Sequence, residues 1–173
     1  GRRRDALSYP RLPGTVNIAP PAGKDDLVAA EALRTAIEME GPGTIAALIT
    51  EGRLLAYHDV SDGGLFATLC EMAFASRCGL DIALDAVGGD PLAALFAEEP
   101  GAVVQVRADD RAAVVARLAA AGVVVHPVGA PAAHDRVRIA RDGNALLDEM
   151  RIDLHRAWSA TTHELQRIRD NPD

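Results

Sequence analysis

Residues 54–76 have the sequence LLAYHDVSDGGLFATLCEMAFAS, and this stretch decides the fold of the chain. Its first seven residues are mostly apolar and end at a Ser-Asp-Gly-Gly turn, which predicts a short buried strand. Behind the turn, apolar residues recur at the spacing of one helix face: Leu65, Leu69, Met72 and Ala73. The stretch therefore predicts a strand, a glycine turn and an amphipathic helix in direct succession.

The remaining sequence alternates in the same way. Strands are predicted at residues 80–84, 102–106 and 123–128. Helices are predicted at residues 25–38, 44–51 and 91–97, from Asp109 or Asp110 to Gly122, and at residues 153–169. Because Asp142-Gly143 supplies the positive φ angles of a tight turn, residues 137–140 and 145–148 predict a hairpin. Interleaved helices and strands with a late hairpin predict an α/β or α+β domain with a mixed sheet.

The domain is expected to span residues 25–173. A chain of 173 residues with 49% hydrophobic content is long enough to bury one sizeable core. Residues 1–24 contain four prolines and little periodicity, which predicts an extended or poorly ordered arm with one short strand near residues 15–19.

Composition narrows the class of partner and the compartment. The formal net charge of -7 disfavours nucleic acid and anionic membranes, because binding to phosphates needs clustered Lys and Arg. The sequence lacks a continuous apolar run long enough for a membrane span, so a cytoplasmic location is expected. Cys70 and Cys78 lack a C-x-x-C spacing and are predicted to be reduced thiols in the core or in a groove.

The candidate site lies where the first strand ends, in residues 58–64. Unpaired N–H groups at the following helix start and the hydroxyl of Ser61 can bind phosphate, while Gly63 and Gly64 allow its close approach. Asp59 and Asp62 offer the hard carboxylate oxygens that Mg²⁺ takes together with substrate phosphates. The same residue types also form ordinary turns and helix caps, so this pattern alone leaves both interpretations open.

Other polar residues favour a structural interpretation. His58 and Asp59 point to opposite faces of a strand, so a direct hydrogen bond between their side chains is not expected. Glu98 and Glu99 are either a carboxylate pair or, the preferred interpretation, part of a solvated loop. Trp158 is predicted to be a packing anchor of the last helix rather than a ligand stack.

Three segments, taken together, resemble a known family. They are LLAYHDVSDGGLFATLCEMAFASRCGLDIAL from Leu54, DPLAALFAEEPGAVVQVRADD from Asp90, and the ending LQRIRDNPD. In order and spacing they are similar to the large single-chain phosphoribosylformylglycinamidine synthase, in its second carboxy-terminal lobe of the aminoimidazole ribonucleotide (AIR) synthetase type. The resemblance implies a part of a purine-biosynthetic ligase that uses ATP and glutamine.

The resemblance also implies roles for individual residues. Asp59 would be a magnesium ligand and Ser61 a phosphate contact in a site for ATP or ADP, and Gly63 and Gly64 would shape the turn. No catalytic residue is implied, and the chain alone is expected to be inactive. Its expected partners are the pseudo-symmetric other half of the synthase and the glutaminase domain. The alternatives are a domain of another ATP-dependent AIR synthetase relative, and a purely structural or interaction lobe.

Overall fold

The structure is a computed structural model that describes residues 44–60 and 62–170, together with the backbone of residues 25–31. It contains seven strands and, within the described residues, five helices. The strands are β1 (Asp25–Glu31), β2 (Leu54–Asp59), β3 (Gly79–Ala83), β4 (Gly101–Arg107), β5 (Val124–Ala132), β6 (Arg136–Arg141) and β7 (Asn144–Met150). The helices are α1 (Thr44–Thr50), α2 (Gly64–Ser76), α3 (Pro91–Phe96), α4 (Arg111–Ala120) and α5 (Arg151–Asp170).

All seven strands form one mixed sheet in the order β2-β4-β1-β5-β3-β6-β7. Neighbouring strands are antiparallel except for β3 and β6, which are parallel. Strand β2, which carries the candidate site at its end, lies at one edge of this sheet. The mixed α/β fold predicted from the sequence is therefore confirmed.

The core lies on both faces of the sheet, and β4 shows how the sequence divides it. Successive side chains of a strand point to opposite faces, so Val103 joins one apolar cluster while Val104 and Val106 join the other. The first cluster includes residues of α2 and α3, and the second includes residues of α1 and α4. Helices thus cover both faces, and α2 packs behind the glycine turn.

The prediction of a helix at residues 25–38 is wrong where the structure describes it. Residues Asp25–Glu31 form β1, which pairs antiparallel with β4 on one side and with β5 on the other. A central strand places its backbone hydrogen bonds on two neighbours, and this long-range pairing overrides a helical pattern that is only a weak local preference. The proposed arm at residues 1–24, with its strand near residues 15–19, lies outside the described residues.

The other predicted elements are confirmed, with ends displaced by a few residues. The hairpin of β6 and β7 turns at Asp142 and Gly143, whose φ angles are 50° and 75°. These are the positive values that the Asp-Gly pair predicted. Helix α3 begins at Pro91, and Asp90 caps it by accepting hydrogen bonds from the backbone N–H groups of Leu92 and Ala93.

Helix α5 is less enclosed than its amphipathic pattern predicted. None of its residues is fully buried, although Leu154 packs against the first core cluster. Trp158 is 56% exposed and Leu165 is 64% exposed, so the apolar face of the helix continues beyond the part of the domain that it contacts. In the described part of the chain, no helix combines the length and apolar character of a membrane span.

Candidate functional site

The candidate site begins at the end of edge strand β2. Asp59 is the last residue of this strand, and its side chain is 76% exposed. The next residue, Val60, donates its backbone N–H to the carbonyl oxygen of Gly101 at 2.8 Å, which holds the end of β2 against the start of β4. Asp59 is therefore a solvent-facing carboxylate on a supported backbone. The predicted phosphate contact Ser61 lies outside the described residues.

The glycine turn joins β2 to α2 in a conformation that favours glycine. Gly63 and Gly64 have φ angles of 89° and 68°, values that residues with a side chain rarely adopt. A Cβ atom on Gly64 would lie 2.8 Å from the carbonyl oxygens of Leu95 and Ala97. The absence of a side chain at Gly64 thus allows α2 to begin directly against the end of α3.

A carboxylate lies at the start of α2. The backbone N–H of Gly63 donates to Oε1 of Glu98 at 2.9 Å. Helix starts attract negative charge because their first N–H groups lack partners within the helix. Sequence reasoning missed this contact and treated Glu98 as a loop residue, since no pattern links positions 63 and 98. The turn can therefore bind an anionic oxygen, and here the oxygen belongs to the chain itself.

His58 connects β2 to two helices through Glu71. Its Nε2 lies 2.8 Å from Oε2 of Glu71, and the indole N–H of Trp158 donates to Oε1 of the same carboxylate at 3.0 Å. Nδ1 of His58 lies 2.7 Å from the backbone oxygen of Asp59 and 3.7 Å from its side-chain Oδ1. The prediction that the side chains of His58 and Asp59 would not form a direct hydrogen bond is confirmed.

Burial raises the pKa of two side chains near the site, the Cys70 thiol and the Tyr57 phenol. Burial, with a smaller contribution from Glu71, raises the pKa of the Cys70 thiol to about 12. The pKa of Tyr57 is also raised, first by burial and then by the charge of Asp59. Cys70 and Cys78 are buried free thiols, as predicted. Cys70 is therefore a core residue rather than a thiolate nucleophile.

The described residues contain no cluster of three or more His, Cys, Asp or Glu side chains arranged to hold a metal ion. Mg²⁺ does not need such a cluster, because it usually combines one or two carboxylates with phosphate oxygens and water. The exposed Asp59 carboxylate fits one of these positions. A magnesium ion at this turn would take its remaining ligands from phosphate, water or another part of the protein.

A cavity of about 240 Å³ adjoins the turn. Val60 and Leu65, which flank residues 61–64, both contribute to its lining. The lining is mainly apolar and includes the ionisable residues Glu99 and His126. The full set is Val60, Leu65, Val87, Gly88, Ala93, Ala94, Ala97, Glu99, Pro100, Gly101, Ala102 and His126.

Comparison with known proteins defines the family. Residues 20–141 match the family described as AIR synthase related protein, C-terminal domain. This match covers more than half of the chain. The chain belongs to this family, and β7 and α5 follow the matched region.

Solved structures support the same fold at low sequence identity. Phosphoribosylformylglycinamidine synthase II from Thermotoga maritima superposes with a TM-score of 0.67 and 13% identity over 80% of this chain. The PurL protein of the same organism complexed with ATP gives a TM-score of 0.68 and 13% identity over 80% of this chain. HypE from E. coli, a hydrogenase maturation protein, superposes with a TM-score of 0.53 and 19% identity over 73% of this chain.

This chain spans only a fraction of each of these proteins. It covers 27% of the synthase II chain, 26% of the PurL chain complexed with ATP and 48% of the HypE chain. The described domain therefore corresponds to one part of a larger protein in each comparison.

Proposed function

We propose that this chain is one lobe of an ATP-dependent phosphoribosylformylglycinamidine synthase of purine biosynthesis and forms one wall of a magnesium-nucleotide site. The observation that carries the proposal is the exposed Asp59 carboxylate at the end of β2, directly before a glycine turn that holds an anionic oxygen at Gly63. The family match and the fold shared with PurL complexed with ATP support the same function.

Each residue of the turn has a separate part in this proposal. Asp59 would supply one oxygen ligand to Mg²⁺, and the hydroxyl of Ser61 would contact a phosphate. Gly63 and Gly64 contribute backbone geometry rather than side-chain chemistry. Together these residues would hold the phosphate groups of a bound magnesium-nucleotide in place. Glu98 accepts a hydrogen bond from the Gly63 N–H, and a bound phosphate oxygen would compete for this donor.

The lobe is proposed to act only within the complete synthase. It spans 26% to 29% of the matched PurL chains, so the rest of the site and the reacting groups would come from other parts of the synthase. The proposed partners are the pseudo-symmetric other half and the glutaminase domain that supplies ammonia. The isolated chain is expected to bind nucleotide without catalysing the reaction.

A second candidate is a domain of a different ATP-dependent member of the AIR synthetase superfamily. The observation that favours it is the shared fold with HypE, of which this chain covers 48%. Under both candidates Asp59 contacts a magnesium-bound nucleotide. A purely structural lobe, the third candidate, would show no response to nucleotide.

Thermal unfolding with and without Mg-ADP tests the proposal. A ligand at about 100 times its dissociation constant adds roughly 2.7 kcal/mol to the free energy of unfolding, which raises the melting temperature by several degrees. We expect this rise in the original chain, its loss in Asp59→Asn, and its loss when EDTA removes the metal. Asp109→Asn is the matched control, because Asp109 is an exposed acid beyond the opposite end of β4.

Two results would contradict the proposal. The first is an unchanged melting temperature at millimolar Mg-ADP, which would favour the structural lobe. The second is an equal rise in the original chain and in Asp59→Asn, which would place nucleotide elsewhere on the molecule.

A further inference from the structure

An open groove lies between the C-terminal half of α2 and the first half of α5. It has a volume of about 450 Å³ and is lined by Glu71, Phe74 and Ala75 of α2 and by His155 and Trp158 of α5. The ring centroids of Phe74 and His155 are 4.6 Å apart in a stacked arrangement, and the Trp158 ring lies 5.9 Å from both. The groove therefore combines three aromatic rings with one carboxylate.

The Glu71 carboxylate keeps capacity to accept further hydrogen bonds. Its Oε2 lies 2.8 Å from Nε2 of His58, and its Oε1 accepts the indole N–H of Trp158 at 3.0 Å. A carboxylate offers about four lone-pair positions, so these two contacts use about half of them. The Glu71 side chain is 24% exposed, so a donor can reach it from solvent. The groove thus favours a cation that carries N–H groups.

Trp158 provides the second feature that a cation requires. Its side chain packs on Phe74 and His155 but is still 56% exposed. The face of an indole ring attracts cations more strongly than the rings of Tyr or Phe. Because the indole N–H lies in the ring plane and donates to Glu71, the carboxylate lies at the edge of the indole, next to its face. A cation on that face is therefore close to the carboxylate as well.

This arrangement suits a guanidinium group better than an ammonium group. A guanidinium is planar, stacks on aromatic faces and presents its N–H donors in a fork that matches a carboxylate. An ammonium is a compact and strongly hydrated point charge without these two properties. Arginine is therefore the side chain that the groove fits best.

The exposed apolar face of α5 continues from the groove. Leu165 and Ile168 lie seven and ten residues after Trp158, on the same side of a helix with 3.6 residues per turn. They are 64% and 56% exposed. A small guanidinium compound in the groove leaves both side chains in contact with water, whereas a polypeptide segment can cover them. The occupant that matches the groove and its surroundings is thus a polypeptide.

We infer that the groove between α2 and α5 receives an arginine side chain of a partner polypeptide, whose apolar residues cover Leu165 and Ile168. The guanidinium stacks on the indole of Trp158 and donates hydrogen bonds to Glu71. The formal net charge of -7 on this chain favours a basic segment in the same sense. This interaction surface goes beyond the proposed function, because it involves neither Asp59 nor the glycine turn.

Four small probes test the inference. The first is an amphipathic helical peptide, blocked at both ends, with one central arginine and a leucine seven residues before and after it, which matches the spacing from Trp158 to Leu165 in both directions. The second and third carry citrulline, the uncharged analogue of arginine, or lysine at the centre. The fourth is N-acetylarginine amide. NMR titration of the isotope-labelled chain, followed through the backbone amides of α2 and α5, gives the affinity and the place of binding.

The four probes should bind with different affinities. We expect the arginine peptide to bind about tenfold or more tightly than the citrulline peptide, because citrulline lacks the cation–π contact and the charge-assisted hydrogen bond. The lysine peptide should lie between the two. N-Acetylarginine amide should bind at least about tenfold more weakly than the arginine peptide, because it buries no leucine side chain.

Variants of the chain locate the preference for arginine. Glu71→Gln should reduce the affinity for the arginine peptide to that for the citrulline peptide, whose own affinity stays nearly unchanged. Trp158→Leu keeps an apolar side chain without a ring and should also reduce the preference. Glu51→Gln is the matched control, because Glu51 is an exposed acid that pairs with Arg117 on the opposite face of the sheet. Circular dichroism melting verifies that each variant is folded, and Trp158→Leu decides if Glu71→Gln is not.

Several results would overturn the inference. One is an arginine peptide that leaves the amides of α2 and α5 unshifted at millimolar concentration, or that binds no better than the citrulline peptide. Equal losses in Glu71→Gln and Glu51→Gln would indicate general charge attraction instead of a specific groove. N-Acetylarginine amide that binds as tightly as the peptide would assign the groove to a small guanidinium compound. Sedimentation that shows dimers of the original chain but not of Trp158→Leu would assign the face to a second copy.

Discussion

Gly64 combines two constraints that a side chain would violate. Its φ angle is 68°, and a Cβ atom would meet two carbonyl oxygens at 2.8 Å. We predict that Gly64→Ala lowers the free energy of unfolding by about 1–3 kcal/mol more than the left-handed conformation alone explains, because backbone atoms must move. Chemical denaturation of the two proteins measures this difference.

Gly52 supplies the control for this prediction. Its φ angle of 67° is nearly the same, but no atom lies within 4 Å of the position that a Cβ would occupy. Gly52→Ala should therefore report only the conformational cost of about 1–2 kcal/mol. Equal losses in the two variants would show that Gly64 does not approach α3 as closely as described.

At the scale of single residues, the sequence predicted the glycine conformations of the turn but not the side-chain contacts around it. Gly63 and Gly64 were expected to shape the turn, and their positive φ angles agree with that expectation. The contact between Glu98 and the Gly63 N–H could not be predicted, because it joins two positions that only the packing of α2 against α3 brings together. The magnesium role of Asp59 and the phosphate role of Ser61 stay predictions.

Among the elements, α5 contacts the domain through its first half, whereas its residues 161–170 are all exposed. Trp158 contacts Phe74 and His155 with ring centroids 5.9 Å away in both cases, and it donates to Glu71. We predict that Trp158→Ala lowers the free energy of unfolding by about 1–3 kcal/mol, through loss of aromatic contact and of the hydrogen bond. Equilibrium denaturation followed by circular dichroism measures the loss.

Leu165→Ala is the matched variant on the same helix. Leu165 is 64% exposed and lies outside both core clusters, so its truncation should change stability by no more than about 0.5 kcal/mol. A loss comparable to that of Trp158→Ala would indicate that the second half of α5 is packed, for example through self-association.

Elements with a strong local pattern were predictable, and the exception explains why. The helix at α2 and the hairpin at Asp142-Gly143 depend on spacing and turn chemistry within a few residues, and both predictions are confirmed. Strand β1 depends on β4 and β5, whose paired residues follow it by about 76 and about 98 positions in the sequence. Local periodicity carries no information about such distant partners, so it favoured a helix.

On the scale of the whole molecule, the exchange of a backbone amide with deuterium should depend on whether its residue is paired inside the sheet or exposed outside it. Strand β4 pairs on both sides and its residues 102–106 are buried, whereas residues 161–170 of α5 are all exposed. We predict that the amides of β4 exchange with deuterium near the rate of global unfolding and those of residues 161–170 several orders of magnitude faster. Mass spectrometry of peptic fragments measures both.

The same measurement at two protein concentrations provides its control. If exchange in residues 161–170 slows as concentration rises, copies of the chain cover the exposed face of α5. Strong protection of these residues at low concentration would contradict the attachment of α5 described above.

The mixed character of the sheet was predictable from the alternation of elements, but its strand order was not, because that order is set by contacts between distant segments.

The link from Trp158 through Glu71 to His58 also gives the molecule an optical property. Trp158 is the only tryptophan of the chain, so all indole emission comes from this one position. Its N–H lies 3.0 Å from a carboxylate whose other oxygen lies 2.8 Å from the neighbour of Asp59. The fluorescence of the unmodified protein therefore originates at a residue that one hydrogen bond and one ion-pair contact connect to β2, and no dye is needed to follow events at that end of the sheet.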